Sequence, residues 1–562
     1  MRREPTAFHD RVFDVVIVGG GITGACLAHD ATLRGLSVAL IERGDFGSAT
    51  SAASSKLLHG GIRYLQQGRF DKVRESARER HCFQVIAPHL MHWVPFLIPT
   101  QPGLIRGRWL LQCGTWFYEC LTMGKERRVN DEAQRHLFAK YYPRAELAGL
   151  VPELGVRADI TGAQVLYESH LHSTERMSLA FLKSAVAGGA VVANYMTADK
   201  MLRRQGRVEG VTVADGLNGQ RFDLLGKMVI NAAGPWLTDL NERSELGRLT
   251  VPISGFSKGT HIVTRQIVDR FALALPTRRK ANTVLNRGGR HVFVIPWRNH
   301  SLIGTGDRPY MGTLDDVRPT EADITDLLSD VTEALPGIGL TRADVFHAFS
   351  GLYPLTARDL RPDVYQGTGD YQIVDHSREG IQGVVSVLGA KYTTARTLAE
   401  RATNLVCKRL DRNTTPCRTS STPLVGGEID DLTEFTQDAV ERYAATMKRC
   451  TVEHLVRHYG TEIDSVLAIA SSERQERSLL SQLTSTRESI GAEVRFAVEE
   501  EMAVTLSDVV FRRTGLGTVG DPGESALCCC AEIMKMCLGW SDEHTAEEIQ
   551  RTQALFRRVN KP

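Results

Sequence analysis

The chain has 562 residues, 42% of them apolar and 24% charged, and a formal net charge of +2. That length exceeds one ordinary core, so about two or three domains are expected. The near-balance of charge removes any global field for nucleic acid, and no nucleic-acid partner is expected. No apolar run approaches the ~20 residues of a membrane-spanning helix.

The eleven cysteines are scattered. None forms a Cys-x-x-Cys pair, and the contiguous Cys528-Cys529-Cys530 reads as small apolar helix residues rather than a metal site, so no metal is expected. No secretory signal precedes the first strand. Reduced thiols in a cytoplasmic compartment are therefore expected.

In chain order, the apolar run Val15–Val18 leads into Gly19-Gly20-Gly21-Ile22-Thr23-Gly24, then a helical segment Ala25–Leu33 and a second apolar run Val38–Ile41 ending at Glu42. This is a strand, tight turn, helix and parallel strand. Gly19 permits the turn, Gly21 lets a pyrophosphate approach the backbone, and Gly24 lets the helix pack on the sheet. The helix N-terminus presents free N–H groups to phosphates. Glu42 stands about where a carboxylate accepts from a ribose hydroxyl. Together these predict a bound dinucleotide. The following loop, Arg43 to Leu65, is rich in small and hydroxyl residues, as suits backbone pressed against a polar cofactor. Thr50, Ser51, Ser55, Lys56, Leu57 and His59 are its candidate cofactor contacts.

These stretches identify a resemblance. GGGITGA, ATSAASSKLLHGGIRYL and APHLMHWVPFLIP (Ala87–Pro99) resemble the FAD-dependent glycerol-3-phosphate dehydrogenases, membrane-associated respiratory enzymes within the wider D-amino-acid-oxidase-like flavoprotein group. INAAGPW (Ile230–Trp236), KGTHIV (Lys258–Val263), VFVIPW (Val292–Trp297), IGTGD (Ile303–Asp307), AKYTTAR (Ala390–Arg396) and VEEEMAVTLSDVVFRRT (Val498–Thr514) extend the likeness over nearly the whole chain. It implies noncovalent FAD, a small anionic polyol as substrate and a membrane quinone as electron acceptor. It implies an α/β (α+β) architecture, with a Rossmann-like FAD-binding domain interleaved with a β-sheet substrate domain.

Further along, Arg69–Ala87 reads as a surface helix rich in Arg and Glu. Leu104–Arg128 mixes Trp109, Trp116, Phe117 and Tyr118 with Arg106, Arg108, Lys125, Arg127 and Arg128. Its residues suit either a helix with its aromatic face turned inward or one lying on anionic lipid. The resemblance favours the second, and with it peripheral attachment to the inner face of the cell membrane. Arg207–Val213 and Phe222–Ile230 read as strands of a small meander, and Ala233-Gly234 follows the second, where small residues let the chain pass close to the cofactor. Thr320–Leu335 carries a helix start signal in Thr320, Glu321 and Asp323. Val384–Leu388 reads as a buried strand, after which Gly389-Ala390-Lys391 turns into a helix, Thr394–Arg409. In related flavoproteins that turn aims a helix N-terminus at the flavin. A polar linker follows Arg409, and helices are predicted at 432–450, 452–459, 463–470, 493–511, 524–538 and 545–559. The expected domains are 1–412 and a C-terminal helical domain, 413–562.

Oxidising an alcohol needs a proton acceptor for the hydroxyl, and a base near neutral pKa makes His261 or His59 the candidate. The resemblance favours His261 and gives Arg63 and Lys391 to the phosphate and alkoxide, with Tyr64, Lys258, Tyr353 and Arg358 as further substrate contacts. In two places the chain departs from the family. Tyr353 stands where the family has an arginine, and a second arginine is expected where Gly369 stands. Both are regarded as phosphate ligands, and Arg358 or Arg361 is placed to substitute. The departures leave open another polyol, or oxygen as acceptor. A flavin-binding protein without turnover is the remaining alternative. A homodimer is compatible with all of these.

Overall fold

The computed structural model describes residues 1–61, 64–65, 68–103, 107–122, 138–155, 157–246, 253–276, 291–355, 370–471 and 479–560. The strand Val12–Val18 is central to an eight-stranded sheet, pairing in parallel with Val38–Ile41 on one side and Arg221–Asn231 on the other. Both faces of this strand are covered, which is why it is apolar almost throughout. Val15 and Ile17 pack toward the helices Ile22–Leu33, Thr174–Ala187 and Ala395–Arg409, whereas Val16 and Val18 pack with Val211 and Val213 of the meander. Val18 is level with both Ile41 and Asn231. Three parallel strands therefore end side by side, and the glycine turn leaves from the middle one. Ligands of open parallel sheets collect in this crevice.

A nine-stranded sheet forms the second layer, built from Val345–Leu355, Gly255–Thr264, His300–Tyr310, His291–Trp297, Ala272–Pro276, Met91–Thr100, Gly162–Leu171 and Leu57–Leu58, with Lys140–Pro143 on Gly162–Leu171. Its strands come from between those of the first sheet in sequence, so the two units are interleaved. The helix Glu321–Ala334 lies against it and starts as expected. Thr320 and Asp323 exchange hydrogen bonds in a capping box, the Thr320 N–H donating to Asp323 Oδ2 at 2.8 Å.

The C-terminal part packs the helices Leu432–Tyr443, Arg449–Tyr459, Ile463–Ser471, Gly491–Glu501, Glu524–Leu538 and Asp542–Asn560 around their own apolar core. Three expectations need correction. The predicted helix 432–450 ends at Tyr443, and a new one begins at Arg449. The predicted helix 493–511 ends at Glu501 because Met502 turns left-handed at φ 56°, and a π-helical turn, Asp508–Arg513, follows. The third concerns Phe70–Ile86, which is not a surface helix. Lys72, Glu79, Arg80 and Gln84 are buried with its apolar residues. Glu79 takes a bidentate pair of hydrogen bonds from Arg396 at 2.6 and 2.7 Å. A charge-rich helix can be buried when each charge finds its counterion inside.

Candidate active site

A cavity of about 1500 Å³ runs from Gly19, Gly21 and Glu42 past Ala233 and Gly389 to His59, Glu168 and His261. Single small-molecule pockets occupy about 300–1,000 Å³, so this one has room for a dinucleotide and a substrate together. The glycine turn is tight by construction. Gly19 has φ +109°, and a Cβ there would lie 2.6 Å from the Ala232 carbonyl oxygen. A Cβ at Gly24 would sit 1.8 Å from the Gly19 oxygen, so Gly24 serves the packing of the helix on the turn and does not itself line the cavity. Ser51 Oγ accepts the Ile22 N–H at 2.9 Å and seats the serine-rich loop on the helix start. The Glu42 carboxylate accepts from the N–H groups of Gly20 at 2.6 Å and Gly44 at 2.9 Å. These bonds use two of its roughly four acceptor positions, and the side chain still faces the cavity.

Thr50, Ser51, Ser55, His59, Ala233, Gly234, Gly389 and Lys391 all line this space. Lys56 and Leu57, expected there too, do not. The Lys56 ammonium is buried and donates to Glu175 at 2.6 Å, the Ala52 carbonyl at 2.8 Å and Thr174 Oγ1 at 3.1 Å. Leu57 packs with Phe96 and Trp297. Lys56 holds the loop from behind, in a left-handed backbone conformation at φ 58°, and a non-glycine residue keeps such a conformation only where its surroundings enforce it.

His261, Lys391, Tyr64 and Tyr353 also line this cavity. Lys391 Nζ donates to Ser76 Oγ at 3.0 Å and lies 4.4 Å from the Tyr64 ring centroid. Burial lowers its pKa to about 8. His261 stacks on Phe349 with ring centroids 5.2 Å apart, and neither ring nitrogen has a partner among the described residues. Gly304 makes room for the imidazole, since a Cβ there would come within 2.2 Å of it. Burial, reinforced by Lys56, lowers the His261 pKa to about 3. The expectation of a near-neutral titration is therefore corrected. Burial and the nearby Lys56 charge favour the neutral imidazole.

Lys258 is a second correction. Its ammonium donates to Asp323 at 2.5 Å and is withdrawn from the cavity. Arg63, Arg358, Arg361 and Gly369 lie outside the described residues. One cavity residue had no sequence signal. Glu168, in the strand Gly162–Leu171, faces the cavity and accepts the Gly60 N–H at 2.7 Å. Burial raises its pKa, against the pull of Arg80.

The model of the FAD dependent oxidoreductase family matches residues 14–401, and that of the C-terminal domain of alpha-glycerophosphate oxidase matches residues 417–545. A glycerol-3-phosphate dehydrogenase of Synechocystis is 32% identical over 98% of this chain and 97% of its own length. The mitochondrial glycerol-3-phosphate dehydrogenase of Mus musculus is 31% identical over 96% of this chain and 72% of its own length. The chain belongs to the FAD-dependent glycerol-3-phosphate dehydrogenase family. Among solved structures, the glycerol-3-phosphate dehydrogenase from Bacillus halodurans complexed with FAD superposes with a TM-score of 0.76, at 26% identity, over 99% of this chain and 97% of its own.

The cofactor of this family fits the site. The glycines leave a bare backbone cradle at the strand end, the helix Ile22–Leu33 opens into the cavity, and the Glu42 carboxylate faces it. The family's C-terminal segment, Val498–Thr514, lies away from the cavity and builds the seam between the two parts of the chain. Asp45, fully buried, accepts from both Nη atoms of Arg513 at 2.8 Å and from Arg512 Nε at 2.5 Å. Arg513 also donates to the Glu501 carbonyl, while the Glu501 carboxylate takes Arg176 at 2.6 Å and Lys183 at 3.2 Å. Burial pushes the Glu501 carboxyl up, but Arg176 and Lys183 more than offset it, leaving it at about 2.

The helix Arg108–Thr122 closes one side of the cavity with Leu110, Leu111, Gly114 and Thr115. Its aromatic residues divide. Tyr118 is buried, whereas Trp109 is 73% and Trp116 68% exposed, with Leu110 and Phe117 also exposed. Arg108 lies over the Trp109 ring. Arg106, Lys125, Arg127 and Arg128 lie outside the described residues. Among the described residues no helix is long and apolar enough to cross a membrane.

Proposed function

We propose that this protein oxidises sn-glycerol 3-phosphate to dihydroxyacetone phosphate and passes the electrons to a membrane quinone. The observation that supports this reading is that His261 and Lys391, 130 positions apart in the chain, both line the cavity that holds the dinucleotide turn. FAD supplies the two-electron acceptor that alcohol oxidation needs. Gly19, Gly21, Glu42, Ser51, Ala233 and Gly389 hold it. The Lys391 ammonium attracts the anionic substrate and steadies negative charge on its oxygen. His261, a neutral imidazole with no competing partner, accepts the hydroxyl proton. Its low pKa in the closed cavity rises when an anionic substrate stands beside it, because a nearby negative charge favours the imidazolium. Phe349 stacks on the His261 ring, and Phe293 adds an apolar wall to the cavity.

The exposed aromatic face of Arg108–Thr122 supports a second element of the reading, peripheral seating on the inner face of the cell membrane. There the exposed indole rings enter the headgroup region and the basic residues meet anionic lipid. Tyr353, which faces the cavity where the family carries an arginine, supports one alternative, a polyol without phosphate or with it placed differently.

One experiment separates these. Purified protein should be yellow and release FAD on acid treatment, and anaerobic addition of glycerol 3-phosphate should bleach the flavin band. Bleaching by glycerol or another polyol, with none by glycerol 3-phosphate, transfers the assignment to the alternative. A colourless protein that binds NADH tightly overturns both.

A further inference from the structure

The short loop His59–Gly61 brings His59 and Gly61 to the cavity, and its Gly61 carbonyl accepts the N–H of Tyr64, which also lines the cavity and lies against Lys391. What fixes that loop comes from three other elements. Glu168 Oε2, from the strand Gly162–Leu171, accepts the Gly60 N–H at 2.7 Å. Arg80, from the helix Phe70–Ile86, donates through one Nη1 to the same carboxylate oxygen at 3.3 Å and to Tyr118 Oη at 3.2 Å. Its guanidinium lies 4.9 Å from the Trp93 ring centroid. Tyr118, from the helix Arg108–Thr122, is 1% exposed, and its hydroxyl occupies the space where a Gly60 side chain would stand, 1.6 Å from an ideal Cβ. On the far side of the loop, a Cβ at Gly61 would stand 3.2 Å from Ser76 Oγ, the acceptor of Lys391. The loop is therefore gripped between Tyr118, Arg80 and Glu168 on one side and Ser76 with Lys391 on the other.

We propose that Glu168, Arg80 and Tyr118 form a positioning unit that sets the His59–Gly61 loop, and through the Gly61 carbonyl that accepts the Tyr64 N–H, Tyr64 and Lys391, for the substrate. Glu168 is the anchor, because its carboxylate accepts the Gly60 N–H. Arg80 fixes the carboxylate and carries the constraint to Tyr118. Tyr118 ties the loop to a helix that is exposed on its outer face and lines the cavity on its inner face. None of the three acts as acid or base. They act by distance, and an error of about 1 Å in such a support costs about 10²-fold in rate.

The inference rests on the proposed reaction, so its test carries a readout that needs no substrate. In the FAD-bound protein, amide exchange of the peptide 57–65 is followed in Glu168→Ala, Glu168→Gln and Tyr118→Phe, together with kcat and KM for glycerol 3-phosphate. Glu168→Ala is expected to speed Gly60 exchange about tenfold, the loss of one buried hydrogen bond, and to lower kcat/KM about 10²-fold with flavin content unchanged. Glu168→Gln keeps an oxygen for the Gly60 N–H and recovers most of both. Tyr118→Phe, which removes one oxygen and keeps the ring, lowers kcat/KM about tenfold. Tyr118→Phe combined with Glu168→Ala is no worse than Glu168→Ala, as expected of residues that act as one unit. Wild-type exchange at Gly60 and wild-type kcat/KM in both Glu168→Ala and Tyr118→Phe would overturn the proposal, as would activity lost only in step with flavin. A wild-type protein that glycerol 3-phosphate fails to bleach sinks the reaction instead, and Gly60 exchange still decides the positioning unit.

Discussion

The cavity and the seam both bury ionisable groups, and they do so in opposite ways. In the seam, Asp45, Arg512, Arg513, Glu501, Arg176 and Lys183 answer one another, so each buried charge has its counterion. In the cavity, the His261 ring nitrogens have no partner among the described residues, and the Lys391 ammonium rests on a single hydroxyl and an aromatic face. Burial then drives the cavity groups toward their neutral forms, whereas mutual attraction holds the seam groups charged. Motif strength in the sequence does not separate the two cases, because the FRRT and SSKLLHGG stretches are equally conspicuous. What separates them is whether the protein itself completes the interaction or leaves it for a ligand.

Substituting the histidine and the arginine should invert each other's effects. His261→Ala should lower kcat by roughly 10²–10⁴-fold, as loss of a general base does. Its melting temperature should hardly change, because two unpartnered buried nitrogens leave with the ring. Arg513→Ala takes two charged hydrogen bonds from buried Asp45, leaving it Arg512 and Asn194, and should cost about 3 kcal/mol of stability, read from urea unfolding. Should Arg513→Ala unfold at the wild-type urea concentration, the seam does not stabilise the chain and the contrast collapses.

Titration sharpens the same contrast. Lys391, at about 8, loses its charge as the pH passes that value. KM for the anionic substrate should then rise toward about tenfold per pH unit, the slope of one linked proton. Lys391→Arg, whose guanidinium does not titrate there, should flatten the profile. The seam responds on the acid side. Glu501 has its pKa depressed from 4.5 to about 2. Its contribution is complete above 4.5 and is lost as the pH falls toward 2. His89, buried at the turn before the strand Met91–Thr100, is lowered from 6.5 to about 3. The unfolded chain takes up that proton first, so His89 also erodes stability as the pH drops below 6.5. A melting temperature constant from pH 6.5 to pH 4.5 would contradict the sign for His89, and one constant from pH 4.5 to pH 2 the sign for Glu501.

The smallest effect belongs to the membrane face. Arg108→Glu should weaken binding to vesicles of anionic lipid by about 1 kcal/mol for each charge removed or added. Trp109→Ala with Trp116→Ala should release more of the protein, measured by co-sedimentation, with the flavin spectrum unchanged. Unaltered sedimentation of the tryptophan pair would place the attachment elsewhere.

Much of the fold could be read from local sequence, because glycine spacing, apolar runs and helix caps are local signals. The turn at Gly19, the strand Val384–Leu388 and the helix start at Thr320 are of this kind. Partnership is not local. Lys56 and Lys258 read as ligand contacts because lysine beside a glycine-rich stretch suggests an anion site, yet each is taken by a carboxylate more than 60 positions away. The same blindness made Phe70–Ile86 look like a surface helix, since Glu79 gives no sign of Arg396. Glu168 was invisible because one carboxylate in an apolar strand has no spacing to betray it. The Gln482–Thr484 and Arg487–Ile490 strand pair was missed as well, being too short for any period to show.

The pairing of Asp45 with Arg512 and Arg513 also bears on how the chain is made. Asp45 belongs to the first βαβ unit to leave the ribosome, and its partners follow 467 and 468 residues later. At about 5–20 residues per second that separation is roughly 25–90 s of synthesis. Throughout that interval the nascent dinucleotide unit carries a carboxylate destined for burial with no counterion yet made. The buried ion pairs of Asp45 therefore cannot form until the last tenth of the chain has emerged, so this part of the fold depends on the completion of translation.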